Sequence, residues 1–199
     1  YQKRGFTFTE VMMGVLVFSI LLGLVVALQS GGSRAVTRLV WHNQVNRQGA
    51  FLEKFIPRAI EKASVPSYIT DDRTYVSTNA EHAIRGPSGT SITPSGNTEQ
   101  VVLAIPQSTA VSQTNTQGQF KWTELVLVPE TSGWSEGLGR LYTRERSTTY
   151  TAATYNSVAR PTGGGRLDLI MDDVSKIELA KVGSETVSLT IYTVYPRDR

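Results

Sequence analysis

About 18 consecutive residues, Val11 to Leu28, carry no charge. As a helix at ~1.5 Å rise per residue they extend ~27 Å, close to the hydrocarbon thickness of a bilayer. The length and the absence of charge predict a membrane span. Lys3 and Arg4 precede it. The positive-inside bias then puts the N-terminus in the cytoplasm and everything after the span outside it. A secretory signal peptide is the competing reading. Its apolar region is shorter and ends in small residues at a cleavage site, and Gln29-Ser30-Gly31-Gly32-Ser33 does follow the run.

Glu10 separates the two readings. A carboxylate at the edge of a membrane helix is costly unless it is protonated or paired. Lys3 and Arg4 lie too far back for an i,i+3 or i,i+4 pair on the same helix. One reading is a headgroup-level Glu that opens the span. The order Lys3-Arg4-Gly5-Phe6-Thr7-Phe8-Thr9-Glu10, running into Val11-Met12-Met13-Gly14-Val15-Leu16-Val17-Phe18, suggests another, because it resembles the processing site and membrane helix of a type IV prepilin or prepseudopilin. The resemblance implies that prepilin peptidase cuts between Gly5 and Phe6 and that Phe6 is then N-methylated. It also implies that Glu10, fifth in the mature chain, partners the N-terminal ammonium of a neighbouring subunit. Two charges that are each expensive in lipid become cheaper when paired across an interface, which would make Glu10 a docking and register element. The resemblance is strong over residues 3 to 30 and weaker beyond. In one respect the chain departs from it: many pilins carry a Pro inside this helix, and here there is none. Flexibility would fall to Gly14, Gly23 or the Gly31-Gly32 pair, since a helical Gly costs about 1 kcal/mol.

Length allows one membrane helix and one globular domain of ordinary size. The formal charge is +3, from 20 Lys and Arg against 17 Asp and Glu. Without Lys3 and Arg4 the basic count falls to 18 against the same 17, about +1. The pI near 9.2 is therefore no argument for nucleic acid, and no basic block interleaved with aromatics supports one. There is no Cys, so the exported domain is expected to fold without disulfides. It lacks the C-terminal disulfide loop of many major pilins, which points toward a pseudopilin or minor pilin. The chain opens at Tyr1 rather than Met, so the leader is expected to be incomplete.

After Ser33 an amphipathic pattern resumes, with Val36, Leu39/Val40, Val45, Leu52, Phe55/Ile56, Ala59/Ile60 and Ala63 at three- and four-residue steps. This predicts a continuing helix, bent at Gly31-Gly32, kinked or restarted at Pro57 and ended by Pro66. Residues 66–98 are turn-rich, with one short strand expected near Thr74–Val76. Further strands are expected at Val101–Ile105, bounded by Pro106, at Trp122–Val128, bounded by Pro129, and at Leu141–Arg146. Val174–Val182 and Glu185–Val194, joined by Gly183-Ser184, read as a hairpin. In its second strand Val187, Leu189 and Ile191 share the apolar face. The fold class is thus α+β: a long N-terminal helix, membrane-spanning and then amphipathic, packed on a C-terminal antiparallel sheet. The expected parts are a leader remnant (1–5), a transmembrane and filament-core helix (6–30), an amphipathic helix bracing the domain (31–66) and an extracytoplasmic β-rich domain (67–199). The order of Leu141-Tyr142-Thr143-Arg144-Glu145, a Gly-rich loop, Ile177-Glu178-Leu179 and Val187-Ser188-Leu189 resembles J-type minor pseudopilins and W-type minor pilins. So does the helix end from Phe51 to Ala63.

Other chemistry finds little support. His42 and His82 lack neighbouring ligands and read as solvated or helix-face residues. Asp71-Asp72, Asp168 and Asp172-Asp173 read as turn carboxylates rather than a calcium site. Gly163-Gly164-Gly165-Arg166 lacks the Lys-Ser/Thr ending of a phosphate loop and reads as a flexible loop. Trp41, Trp122 and Trp134 read as core or helix–sheet anchors. No catalytic residue, metal or cofactor is expected. Expected partners are other pilin or pseudopilin subunits, prepilin peptidase, an inner-membrane assembly platform and membrane lipid. The functional expectation is a filament subunit of the inner membrane, with the domain extracytoplasmic, acting as a minor pilin or pseudopilin. The alternatives are a major structural pilin, or a single-pass anchored or secreted binding domain with no filament.

Overall fold

The structure is a computed structural model that describes residues 8–86, 91–133, 135–162, 164–182 and 186–195. It divides into two compact units, Tyr1–Gln44 and Val45–Arg199. A single helix, α1 (Phe8–Glu61), passes without interruption through Gly31-Gly32 and through Pro57. Leu and Val are the commonest residues of its first half, and Glu10 lies in the first turn and Arg58 in the last, each complementing the helix dipole. Pro57 brings no N–H, so the Glu53 carbonyl one turn earlier lacks its helical donor.

The second unit holds the sheet. Its strands are β1 (Ser67–Ile69), β2 (Thr74–Val76), β3 (Ser91–Ile92), β4 (Gln100–Ser108), β5 (Gly118–Pro129), β6 (Gly139–Tyr150), β7 (Leu167–Val182) and β8 (Thr186–Thr193). β1 and β2 form a separate ribbon, while the main sheet runs β3-β7-β6-β5-β4 with β8 paired to β7. All its pairings are antiparallel. The expected hairpin is present as the β7–β8 pair, closing at Val182 opposite Thr186. Its Gly183-Ser184 turn lies outside the described residues, as does Trp134.

Several strands outrun their predicted ends. Pro106 and Pro129 lie inside β4 and β5 rather than beyond them. For Pro106 the reason is its place at a sheet edge, where a missing N–H breaks no ladder. That edge is covered by other chain: Arg85 and Ala104 exchange backbone hydrogen bonds (3.0 and 2.8 Å), and Ser64 N–H donates to the Pro106 carbonyl (3.0 Å). β1 and β3, at three and two residues, are too short to leave a periodic signature.

The two faces of the sheet are packed differently. On one face, Leu125 and Leu127 of β5, Leu141 of β6 and Met171, Val174 and Ile177 of β7 form a core with Leu52 and Ala59 of α1. Phe55, Ile56, Ala63, Leu179, Leu189 and Ile191 close over it. Of the stripe read from the helix sequence, Leu52, Phe55, Ile56, Ala59 and Ala63 pack here, whereas Val36, Leu39, Val40 and Ile60 are exposed. Ser188 and Thr190 on the opposite face of β8 are exposed. On the far face Phe120, Trp122 and Tyr150 pack with Ala104 and Val111, covered by Ala152, Tyr155 and Val158. Trp122 is therefore a core anchor, but one facing away from the helix. Trp41 is half-buried on α1, edge-on to the exposed His42 (centroids 5.1 Å).

His82 overturns its reading as a solvated residue. It is wholly buried against Phe120. Its Nε2 donates to the Val158 carbonyl (2.8 Å) and its Nδ1 meets Ser77 Oγ (2.7 Å). A compact imidazole with two fixed partners is an ordinary core residue. The aspartates are likewise not all in turns. Asp168, Asp172 and Asp173 lie within β7, where Asp172 pairs with Arg140 (3.3 Å) and Asp173 accepts from Ser135 (2.8 Å). Among the described residues no group of acidic, His or Cys side chains is gathered as a metal site.

Candidate assembly and processing segment

From Phe8 to Leu28 the large apolar side chains of α1 all project outward, from Val11 at 51% exposed to Phe8 at 79%. A soluble domain does not leave so long an apolar helix bare, and α1 is long and apolar enough to cross a membrane. The polar groups within and just after it are satisfied locally. Ser19 Oγ donates to the Val15 carbonyl (2.8 Å), Ser30 Oγ to Ala27 (2.9 Å) and Thr37 Oγ1 to Ser33 (2.8 Å). Internal satisfaction of this kind is what a hydrocarbon environment demands of a helix.

Glu10 sits in the first turn of α1 and its side chain is exposed. The uncharged run begins at the next residue, Val11. The carboxylate is thus carried on a rigid element at one end of the apolar surface, accessible to a group approaching from outside the helix. Gly5 and Phe6, the expected cleavage pair, lie outside the described residues, as do Lys3, Arg4 and Thr7.

A second constellation escaped sequence reading. Glu124 of β5 is 1% exposed and meets three arginines. Arg144 Nε donates to its Oε2 (2.8 Å), Arg160 donates to its Oε1, and Arg146 Nε lies 3.7 Å away. Arg144 also reaches Glu99 (2.5 Å), Arg146 donates to the Thr162 carbonyl (2.8 Å), and Arg160 stacks over Trp122 (4.8 Å). Burial disfavours the charged form of Glu124, but the bonds from Arg160 and Arg144 and the charge of Arg146 outweigh it and hold the carboxyl below its ordinary range. The group offers no nucleophile–base geometry. It fastens residues 151–162 to the far face of the sheet. One signal was available: Glu124 stands two residues from Trp122 and four from Phe120, so it shares their buried face in any strand.

Residues 1–26 match the family profile of the prokaryotic N-terminal methylation motif. No curated protein and no solved structure matches the chain. The motif implies processing by prepilin peptidase and assembly with other pilin subunits, and the apolar helix suggests a single membrane anchor. The matched segment contains Gly5, Phe6 and Glu10 and enters the bare apolar helix, so the likeness to type IV pilin-like chains lies in these first 26 residues.

Proposed function

We propose that the chain is a structural subunit of a type IV pilus-like filament, not an enzyme. It enters the inner membrane with its N-terminus cytoplasmic and the 67–199 domain outside. Prepilin peptidase cleaves between Gly5 and Phe6, and Phe6 is N-methylated. As the apolar helices bundle into a filament core, Glu10 of one subunit takes the Phe6 ammonium of its neighbour. The observation that carries this reading is the methylation motif joined to an apolar helix that nothing in its own unit buries. A minor pilin or pseudopilin that primes assembly or sits at the tip, in type II secretion or a pilus system, fits the absence of Cys and the terminal strand order.

Two measurements test it. Mass spectrometry of the mature N-terminus is expected to find methyl-Phe6; an N-terminus near Gly31 would mark a signal peptide and overturn the reading. Glu10→Ala is expected to leave membrane insertion intact and abolish incorporation into filament fractions. Normal incorporation would sink the docking role of Glu10.

A further inference from the structure

Among the described residues, β8 ends the sheet with an open edge. Val194 N–H donates to the Asp173 carbonyl (3.1 Å) and the Tyr192 carbonyl accepts from Ser175 Oγ (3.1 Å), so both turn their backbone toward β7. The pairing irregularity at this point, between Val174 and Lys176, belongs to β7. Regular alternation along β8 then directs the N–H and C=O groups of Leu189, Ile191 and Thr193 away from the sheet. Among the described residues no strand pairs with that side. The β4 edge, by contrast, is covered by Ser64 and Arg85. From Thr186 to Thr193 the open edge carries no charge and no Pro, the usual guards against strand pairing.

Beside this edge runs a groove of about 500 Å³, lined by Leu189, Ile191 and Thr193 and by Val45, Gly49 and Ile56 of α1. The residues with outward-facing backbone are thus the residues that form the groove wall. A Cβ added at Gly49 would meet nothing within 4 Å, and Leu189 and Ile191 remain only half-buried. Helix and strand edge thus wall the same groove.

We propose that the β8 edge and this groove receive an extended segment from a different subunit of the assembly, apolar at alternate positions, as an added strand. Backbone bonds to β8 supply the attachment, and every second side chain fills the groove. A second copy of β8 is a poor occupant. Two β8 edges joined antiparallel on a shared face are related by a dyad normal to the sheet, and the two Val45–Glu61 segments would then run in opposite directions. Subunits anchored from one membrane share one helix direction. The choice of a filament subunit as partner rests on the function proposed above.

The chain has no Cys, so Thr193→Cys and Ala50→Cys each place a single thiol in it. Coupled to a cleavable benzophenone crosslinker in native membranes, both sites are expected to attach to one segment of one other pilin-like subunit, at residues two apart. Gly49→Leu fills the groove and is expected to cut the yield at least tenfold without lowering the melting temperature. Thr193→Pro removes an outward N–H and is expected to do the same, while Thr193→Val is not. Attachment to a second copy, to lipid alone, or at three- and four-residue spacing would overturn the inference, as would no attachment or an undiminished yield in Gly49→Leu. Phe6 methylation is read on the same membranes. If it is found while crosslinking fails, only the added strand is lost; if it is absent, the filament reading falls as well.

Discussion

Glu124 shows what a single residue does in this domain. Three arginines converge on one buried carboxylate, so removing its charge leaves cations stranded in a place that water barely reaches. Glu124→Gln is expected to destabilise the domain by ~3 kcal/mol, measured by denaturant unfolding at neutral pH. The same residue sets an acid limit. Its folded carboxyl titrates below the unfolded one, so the stabilisation is complete above the unfolded value, about 4.3, and fades as pH falls through the folded value. Wild-type stability is expected to drop across this acid window, with a smaller drop in Glu124→Gln. An equal drop in both would remove Glu124 as the cause. The linear chain offered only the spacing of Glu124 from Trp122 and Phe120, and nothing of its partners. Arg144 and Arg160 lie 20 and 36 residues from Glu124, and a charge with a distant partner looks like a charge facing solvent.

At the scale of elements, α1 meets the sheet through a narrow stripe. Leu52 is 4% exposed, whereas its neighbour Phe51 is 51% exposed. Leu52→Ala is expected to cost ~3 kcal/mol and Phe51→Ala less than ~1 kcal/mol, compared by thermal melts of the two variants. Similar losses would mean that the helix packs on another face. The Leu52 stripe was readable in advance because a three- and four-residue rhythm survives in sequence. So was the β7–β8 pair, where apolar and polar residues alternate. β5 and β6 were read too short for the opposite reason. The missed residues, 118–121 and 147–150, are mostly polar, and Gln119, Ser147 and Thr149 are exposed, so no apolar run or apolar alternation marks them. β1 and β3 are assembled by pairing with distant chain rather than by any preference of their own.

For the whole molecule, the division between Gln44 and Val45 separates the bare apolar residues of α1 from the packed domain. The fragment 45–199 is expected to stay in solution without detergent and melt cooperatively, while the full chain requires detergent; gel filtration and circular dichroism check both. Precipitation of the fragment would show that the domain depends on the first part of the helix. The methylation segment was the most legible part of the chain because its signature is a fixed order of residues that needs no fold to be seen. The β8 edge was not, since an edge exists only once a sheet is assembled. Its position has a mechanical meaning. Among the described residues β8 joins the sheet through β7 alone, and β7 passes on to β6 along its first half. A pull along β8 therefore acts in shear, loading its whole register with β7 at once rather than opening it pair by pair. The outermost strand is in this way a suitable handle for tension.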